Sequence, residues 1–396
     1  MNRYLASLLP YPFERLNALK EGIQPETNAP HVSLALGEPK HDPPTFVMDC
    51  LVDARELHAG LTTYPPTRGG LALREAIAHW LHKRYAVEVD PATSVLPVNG
   101  TREGLFSFGQ AMLNGGSESF ALMPNPFYQI YEGAAFLRGT QPYYVPSTER
   151  PEFEEVPESI WAQTELVYVC SPGNPTGYVV DRELLTLLLT KAQEHDFVVA
   201  ADECYSEIYL KENEPPIGLL EVANDMGLTR FNRCVVFNSL SKRSNCPGLR
   251  SGFVAGDPLV IEQYYQYRTY HGCAMPLHVQ AASAKAWADE THVIANRAIY
   301  RSKFEATELL MRRTFGTQPP SGAFYYWPDV GIDDELFATE LFRRENITVL
   351  PGKYLGRTVN EHNPGANHVR IALVAPEQEC IDAIQRLCAA AKDLRH

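Results

Sequence analysis

The sequence predicts an α/β fold built on a doubly wound, mainly parallel sheet, and three observations support this prediction. Short and nearly continuous apolar runs recur along the chain, each ending in a polar stretch that contains Gly or Pro. Such runs are typical of parallel strands that are covered on both faces. An amphipathic helical pattern, residues 181–195, lies between two of these runs. The length of 396 residues exceeds one ordinary core, so we expect two domains.

The composition excludes several classes of protein. With 45% hydrophobic and 21% charged residues, the chain is globular rather than disordered or fibrous. A net charge of −13 argues against a nucleic-acid partner, which requires a basic face. The first twenty residues lack the apolar core of a signal peptide, and no run approaches the roughly eighteen apolar residues of a membrane span. The eight cysteines include no C-x-x-C pair, so we expect reduced thiols, no metal site and a cytoplasmic location.

The stretch VLPVNGTREGLFSFGQAML, residues 95–113, is the first candidate for a ligand-binding turn. It predicts a short strand, a turn at Gly100 and a helix with apolar residues at helical spacing. A helix that begins at Thr101 and Arg102 offers free backbone N–H groups and the positive end of its dipole. These groups can hold a phosphate, although most such turns bind nothing.

Further strands are predicted downstream, and polar stretches follow their ends. Because ligands bind beyond the carboxyl ends of parallel strands, the stretches SPGNPTG, DECY and SLSK are expected to converge on one crevice. The helical pattern begins after Asp181, a plausible N-cap, and makes a βαβ unit with its two flanking strands. The strands are predicted at 165–170 (ELVYVC), 197–202 (FVVAAD), 234–238 (CVVFN) and 252–256 (GFVAG).

The stretch SLSKRSNCPGLRSG, residues 239–252, places a single lysine directly after an apolar strand. Lys242 is either a solvated turn residue or a lysine that binds an aldehyde cofactor covalently. A cofactor with a pyridine ring and a phosphate requires partners that neighbouring loops can supply. Asp202 can keep the ring nitrogen protonated, and its burial without a cationic partner would be costly. Arg250 has the fixed fork of donors that suits a phosphate.

The three stretches SPGNPTG, DECY and SLSKRSNCPGLRSG, in this order and at these separations, resemble the signature of the class I/II aminotransferases. These are fold-type I enzymes that use pyridoxal 5'-phosphate. The resemblance extends from LALGEPKH (34–41) to NHVRIALV (367–374). It implies a large cofactor-binding domain, residues 46–284, that contains the mainly parallel sheet. It also implies a smaller α+β domain formed by residues 1–45 and 285–396.

The resemblance assigns roles residue by residue. Lys242 resembles the lysine that binds the cofactor and moves the proton, and Asp202 resembles the partner of the ring nitrogen. Tyr205 and Asn174 resemble the residues at the ring oxygen, and Tyr128 resembles the aromatic residue that stacks on the ring. The resemblance implies a phosphate site made of Gly100, Thr101, Arg102, Ser239, Ser241 and Arg250.

Two further roles concern the substrate and the partner subunit. Arg370, in HVRIAL, resembles the arginine that holds the α-carboxylate, with Gly37 and Asn174 beside it. Without that resemblance, a solvent-facing strand residue would be the preferred interpretation of Arg370. Tyr64, in TYPPTRGG, resembles the tyrosine that reaches the phosphate of the neighbouring subunit, which implies a homodimer with shared sites.

The opening LLPYPFERLNALKEGI and the stretch VSLALGEPKHDPP are similar to bacterial succinyldiaminopimelate aminotransferases. This similarity implies exchange of an amino group between N-succinyl-LL-2,6-diaminopimelate and 2-oxoglutarate, in lysine and diaminopimelate biosynthesis. Aminotransferases for aspartate, alanine or aromatic amino acids remain alternatives, as do a β-C–S lyase with the same cofactor and a non-enzymatic sensor. The far carboxylates of the substrate require cations. Candidates for these cations are Arg15, Lys40 and Arg268.

Overall fold

The computed structural model describes residues 2–147 and 150–395. Over these residues the strands, numbered in chain order, are β1 Val32–Ser33, β2 Val95–Val98, β3 Gly116–Asn125, β4 Thr140–Pro146, β5 Thr164–Cys170, β6 Val198–Asp202, β7 Cys234–Ser239, β8 Gly252–Gly256, β9 Tyr325–Tyr326, β10 Ile347–Thr348, β11 Leu350–Pro351 and β12 Val369–Ala372. The α-helices are α1 Pro12–Lys20, α2 Thr45–Val52, α3 Ala54–Thr62, α4 Leu71–Tyr85, α5 Thr101–Met112, α6 Ile130–Arg138, α7 Glu158–Trp161, α8 Arg182–His195, α9 Leu219–Asp225, α10 Leu240–Arg243, α11 Pro258–His271, α12 Leu277–Ala288, α13 Thr291–Phe315, α14 Asp334–Glu345 and α15 Glu377–Leu394.

The large sheet has seven strands in the order β2-β8-β7-β6-β5-β3-β4. Strands β4, β3, β5, β6 and β7 are parallel to one another, and β8 is antiparallel to both β7 and β2. The predicted α/β class and the mainly parallel sheet are therefore confirmed. Strands β5 to β8 fall on the four predicted strands, and α8 begins after Asp181, whose side chain accepts a hydrogen bond from the backbone N–H of Leu184 at 2.8 Å.

Burial on both faces explains why the central strands have nearly continuous apolar sequences. In β5, Val167 and Val169 belong to the core on one face, and Leu166 and Tyr168 belong to the core on the other. Successive side chains of a strand point to opposite faces, so both sets of positions must be apolar. The first core contains residues of α4, α8, α9 and α12, and the second contains residues of α5, α6 and α11.

A separate core forms from the two ends of the chain. Strand β1 pairs in parallel with β10, and a small antiparallel sheet has the order β11-β12-β9. Helices α13, α14 and α15 pack around the same apolar cluster. Pairing of an N-terminal strand with a C-terminal one is what a small domain built from both ends requires. The boundaries at residues 46 and 284 stay a prediction.

The remaining sequence expectations concern cysteines and membranes. All eight cysteines are free thiols, and Cys204 and Cys273 are the two that are not fully buried. Within the described ranges, no helix combines the length and the apolar character that crossing a membrane requires. The cytoplasmic location stays a prediction.

Candidate active site

One edge of the large sheet gathers the polar stretches. Strands β5, β6 and β7 run side by side with Cys170 opposite Asp202 and Asp202 opposite Phe237, so their carboxyl ends are level. Strand β8 runs the other way, and therefore its beginning lies at this edge. Arg250 precedes β8 by two residues, and Gly252 pairs with Ser239 at the end of β7. The antiparallel strand thus brings a residue from before its start to the same crevice.

A pocket of about 400 Å³ lies at this edge, within the usual size of a cofactor site. Gly100 stands just outside its wall, and an added Cβ there would collide with the Arg250 guanidinium. Tyr64 is 99% exposed, lies between α3 and α4 and does not line the pocket. The other predicted residues all line it: Gly37, Thr101, Arg102, Tyr128, Asn174, Asp202, Tyr205, Ser239, Ser241, Lys242, Arg250 and Arg370.

Lys242 lies on the short helix α10, directly after β7. Ser239 caps this helix, because its Oγ accepts a hydrogen bond from the Ser241 backbone N–H at 3.1 Å. The Lys242 Nζ donates a hydrogen bond to the Gly37 carbonyl oxygen. Burial lowers the pKa of Lys242 to about 8. The uncharged form of this amine is therefore much more accessible near neutral pH than that of an ordinary lysine, as a nucleophilic lysine requires.

Asp202, the last residue of β6, is a buried carboxylate. Its Oδ2 accepts a hydrogen bond from the Tyr131 hydroxyl at 2.7 Å, and its Oδ1 accepts one from the Cys204 backbone N–H at 3.2 Å. Among the residues that the structure describes, no cation forms an ion pair with it. Burial raises the pKa of Asp202, and its hydrogen bonds and the charge of Lys242 only partly offset this rise.

Donors for an anion surround the start of α5. Gly100 precedes this helix with φ of +79°, a conformation that favours glycine, and Thr101 opens the helix. The Ser239 and Ser241 hydroxyls are 2.9 Å apart. Arg250 donates a hydrogen bond to the Pro247 carbonyl oxygen at 2.8 Å and forms no ion pair within residues 2–147 and 150–395. The helix dipole, two hydroxyls and an unpaired guanidinium together make an anion site.

The opposite side of the pocket comes from the small core. Arg370 of β12 is buried, which rules out a solvent-facing position. It donates hydrogen bonds to Asn174 Oδ1 at 2.7 Å and to the Ala35 carbonyl oxygen at 2.8 Å. Its guanidinium lies 4.6 Å from the centre of the Tyr325 ring, and the Tyr325 hydroxyl is 2.6 Å from that of Tyr205. The structure thus brings together side chains from the large sheet and from the separate core that the two chain ends form.

Sequence reasoning missed seven residues that line or support the pocket. Tyr131 lies one helical turn beyond Tyr128, a spacing that was compatible with a shared site but equally with core packing. No local sequence pattern marks the others as ligand-binding residues. They lie in the N-terminal segment, in the two-residue strand β9 and in loops, and the cysteine among them has no neighbouring base to activate it. The missed residues are Tyr131, Tyr325, Tyr11, Phe13, Leu36, Pro247 and Cys204.

The three candidate cations for the far end of the substrate do not line the pocket. The prediction is wrong for Arg268, which is fully buried and donates hydrogen bonds to Glu103 Oε1 at 2.6 Å and to the Cys273 carbonyl oxygen at 2.6 Å. Arg15 lies 3.7 Å from the centre of the Tyr354 ring and 3.9 Å from Glu335, and Lys40 pairs with Glu38, two residues before it. Each cation is occupied by a partner within the chain.

Comparison with known proteins agrees with this geometry. Residues 29–387 match the family of class I and II aminotransferases. The chain belongs to this family. Its cofactor is accordingly pyridoxal 5'-phosphate, and the predicted family, enzyme class and cofactor are confirmed.

Several relatives cover nearly the whole aminotransferase chain. An aminotransferase structure from Neisseria meningitidis is 43% identical, covers 98% of this chain and 99% of its own, and has a TM-score of 0.93. The LL-diaminopimelate aminotransferase of Oleidesulfovibrio alaskensis is 28% identical over 97% of both chains. Aromatic-amino-acid aminotransferase 2 of Thermococcus litoralis is 29% identical over 90% of both chains.

The residues present fit the cofactor. The buried Asp202 carboxylate forms no ion pair with a cation of the described residues, and a protonated pyridine nitrogen would supply one. The anion site at Thr101 and Arg250 suits a phosphate. When bound, the cofactor accepts the electrons of the bond that breaks at the substrate α-carbon.

Proposed function

We propose that this aminotransferase exchanges an amino group between N-succinyl-LL-2,6-diaminopimelate and 2-oxoglutarate. Within the proposal, Lys242 binds the cofactor and transfers the proton at the substrate α-carbon. Asp202 keeps the ring nitrogen protonated, and Tyr131 and the Cys204 N–H hold that carboxylate in place. Arg370 binds the α-carboxylate, supported by Asn174.

The remaining roles are proposed from the same pocket. Tyr128 stacks on the ring, while Tyr205 and Asn174 contact the ring oxygen. The Gly37 backbone faces the substrate, and a Cβ at this position would collide with the Tyr325 hydroxyl. The proposed phosphate site comprises Gly100, Thr101, Arg102, Ser239, Ser241 and Arg250.

The observation that carries the substrate proposal is the charge of the pocket wall. Asp202 is the only carboxylate among the described residues that line the pocket. Besides Arg370 and the phosphate donor Arg250, the wall contains Arg102, whose guanidinium lies 5.3 Å from the centre of the Tyr11 ring and pairs with no carboxylate of the described chain. The Arg102 side chain can therefore bind a second carboxylate, in addition to the contribution of its backbone to the phosphate site.

This balance of charge favours an acylated donor over free diaminopimelate. The far amino group of LL-diaminopimelate is a cation, and it would meet Arg102 without an acidic partner. Succinylation converts this amine into a neutral amide and adds a carboxylate. Arg102 would attract that carboxylate.

A panel of amino donors with 2-oxoglutarate tests the proposal. We expect kcat/KM for N-succinyl-LL-2,6-diaminopimelate to exceed that for LL-diaminopimelate, aspartate, alanine and tyrosine. Arg102→Gln should raise KM for the succinylated donor about tenfold, equivalent to about 1.4 kcal/mol, and spare alanine. Arg15→Gln is the matched control outside the pocket. Equal use of the donors, or pyruvate release from cystathionine without transamination, would refute the assignment.

An aromatic donor is the second candidate, because Tyr11 and Phe13 of the N-terminal segment line the pocket. Aromatic rings pack favourably on one another, so these side chains could hold a tyrosine or phenylalanine substrate. A higher kcat/KM for tyrosine than for the succinylated donor would favour this alternative. Phe13→Ala should then reduce turnover of tyrosine more than that of aspartate.

We also propose a homodimer with shared active sites. A tyrosine that is 99% exposed, as Tyr64 is, has most of its ring available to a second copy. Tyr64→Phe should weaken cofactor retention, and mixing this chain with Lys242→Ala should give hybrid dimers with one doubly defective site and one intact site. Recovered turnover in the mixture checks this expectation. An active monomer, or a mixture with no intact site, would contradict it.

A further inference from the structure

Lys303 is an exception among the buried cations. The described residues include five fully buried Lys or Arg side chains: Arg243, Arg268, Arg297, Lys303 and Arg370. Three of these form ion pairs with carboxylates, and Arg370 faces the pocket. Lys303, on α13, is fully buried and forms no ion pair with any carboxylate of the described chain. Burying a cation without a counter-charge costs free energy. The uncharged groups that bind Lys303 must offset this cost, which suggests that the lysine has a function.

The partners of Lys303 use all three hydrogens of its ammonium group. Its Nζ donates to the Leu373 carbonyl oxygen at 3.0 Å and to the Ala375 carbonyl oxygen. It also contacts His41 Nε2 at 2.7 Å. An ammonium group is only a donor, so His41 Nε2 must accept. The proton of the neutral His41 ring is therefore on Nδ1.

The same donor-to-acceptor direction continues from His41 to the backbone of Lys242. With its proton on Nδ1, His41 donates to Asn296 Oδ1 at 3.2 Å, which also accepts from Asn245 Nδ2 at 2.8 Å. The Asn296 amide is thereby fixed, and its Nδ2 donates to the backbone carbonyl oxygens of Lys242 at 3.1 Å and Arg243 at 3.3 Å. Every bond in the series from Lys303 to Lys242 runs in the same direction.

We propose that Lys303, His41 and Asn296 form a positioning relay that fixes Lys242 relative to Arg370. One end of the relay binds Leu373 and Ala375, which follow the strand of Arg370. The other end holds the carbonyl groups of α10, a helix of four residues that has little stability of its own. The substrate is bound through Arg370 but reacts at Lys242, and small errors in this distance slow proton transfer.

The protonation of His41 tests the direction of the relay. In the enzyme with bound cofactor, ¹⁵N NMR of labelled histidine should show His41 as the neutral Nδ1–H tautomer, assigned by the signal that His41→Gln removes. Lys303→Met removes the donor to Nε2 while keeping a similar volume, so the fixed tautomer should be lost. An Nε2–H tautomer in the unsubstituted protein, or no change in Lys303→Met, would overturn the proposal.

Kinetics test whether the relay positions Lys242. Lys303→Met and Asn296→Ala should each lower kcat about tenfold and change KM for the amino donor less than twofold. Cofactor content should stay unchanged. The control is Thr307→Val, one turn further along α13, where the hydroxyl donates to the Lys303 carbonyl oxygen at 2.7 Å outside the relay. It should lower Tm without changing kcat. If kcat per bound cofactor stays normal in either relay variant, the proposal fails, and His41→Gln provides a third variant should one of these not fold.

Discussion

Apart from Lys303, the largely buried cations outside the pocket pair with glutamates, whereas the cations that line the pocket pair with no carboxylate of the described residues. Arg84, Arg243, Arg268 and Arg297 each form an ion pair with a glutamate of the chain. Arg102, Lys242, Arg250 and Arg370, which line the pocket, pair with no carboxylate in the part of the chain that the structure describes. The pocket is therefore the region where positive charge is left for a ligand to neutralise.

This difference has an energetic reason. A buried charge without a partner is costly, and these four arginines avoid the cost through their glutamates. In the pocket, the buried Arg370 and the half-buried Lys242 retain this cost until an anionic ligand binds, whereas Arg102 and Arg250 are exposed. The same fold has a net charge of −13, so the local cations also offset a background field that repels dicarboxylates. The contrast predicts that pocket substitutions affect binding and turnover, whereas substitutions of paired cations affect stability.

The largest effect is expected for Lys242→Ala. Loss of the amine removes both covalent cofactor binding and proton transfer, so turnover should fall more than about a thousandfold. The visible absorption of the bound cofactor should change at the same time. Lys40→Ala is the control, because this exposed lysine pairs with Glu38. Full turnover in Lys242→Ala would remove the basis of the site assignment.

Asp202→Asn should have the next largest effect. The amide cannot keep the ring nitrogen protonated, and a loss of about 3–5 kcal/mol lowers kcat by roughly two to four decades. Cofactor should remain bound. The neighbouring carboxyl offers a control: Glu203 accepts a hydrogen bond from the Leu219 N–H at 2.8 Å, outside the pocket, and burial raises its pKa to about 7. Glu203→Gln should keep kcat, and Asp202→Asn with kcat within a few-fold of normal would make Asp202 a structural residue.

The variants Arg250→Gln and Arg84→Gln compare an unpaired cation of the pocket with a paired cation outside it. Hydrogen bonds to charged groups contribute about 1.5–3 kcal/mol, so the cofactor Kd should rise roughly 10- to 100-fold, measured by equilibrium dialysis. Arg84→Gln should instead lower Tm, because it removes the 2.8 Å ion pair of the buried Glu207 and leaves only the longer contact with Arg297 at 3.7 Å. An unchanged Kd in Arg250→Gln, or an equal rise in both variants, would contradict the contrast between the two regions.

The smallest expected effect is the pH dependence of the cofactor-free protein. Burial lowers the pKa of Lys242 to about 8 from 10.5, so folding expels its proton between these values. The resulting destabilisation is complete below pH 8 and disappears as pH rises through 10.5. Lys242→Met should therefore be more stable than the unsubstituted protein below pH 8, by on the order of 1 kcal/mol, and the advantage should vanish near pH 11. Denaturant titrations at several pH values measure it, and an advantage independent of pH would exclude this cause.

The sequence alone determined the fold class, the central strands and most of the pocket. These predictions depend on local patterns: a two-face apolar run, a helical period, and a polar stretch directly after a strand. Asp202, Ser239 and Lys242 each lie at or just after the end of a predicted strand, and parallel strands bring such ends together. The class of enzyme and its cofactor followed from the resemblance of the same stretches to the class I/II aminotransferases.

Only the tertiary structure decided how distant segments meet. The Arg370 bond to Ala35 joins residues 335 positions apart, and Tyr205 meets Tyr325 across 120 positions. Arg268 is similar in type to the pocket cations, yet burial against Glu103 excludes it from the pocket. Periodicity reports which face of an element is apolar, but it carries no information on how two cores are placed against each other. That placement sets which cations keep a partner within the chain and which remain free for a ligand.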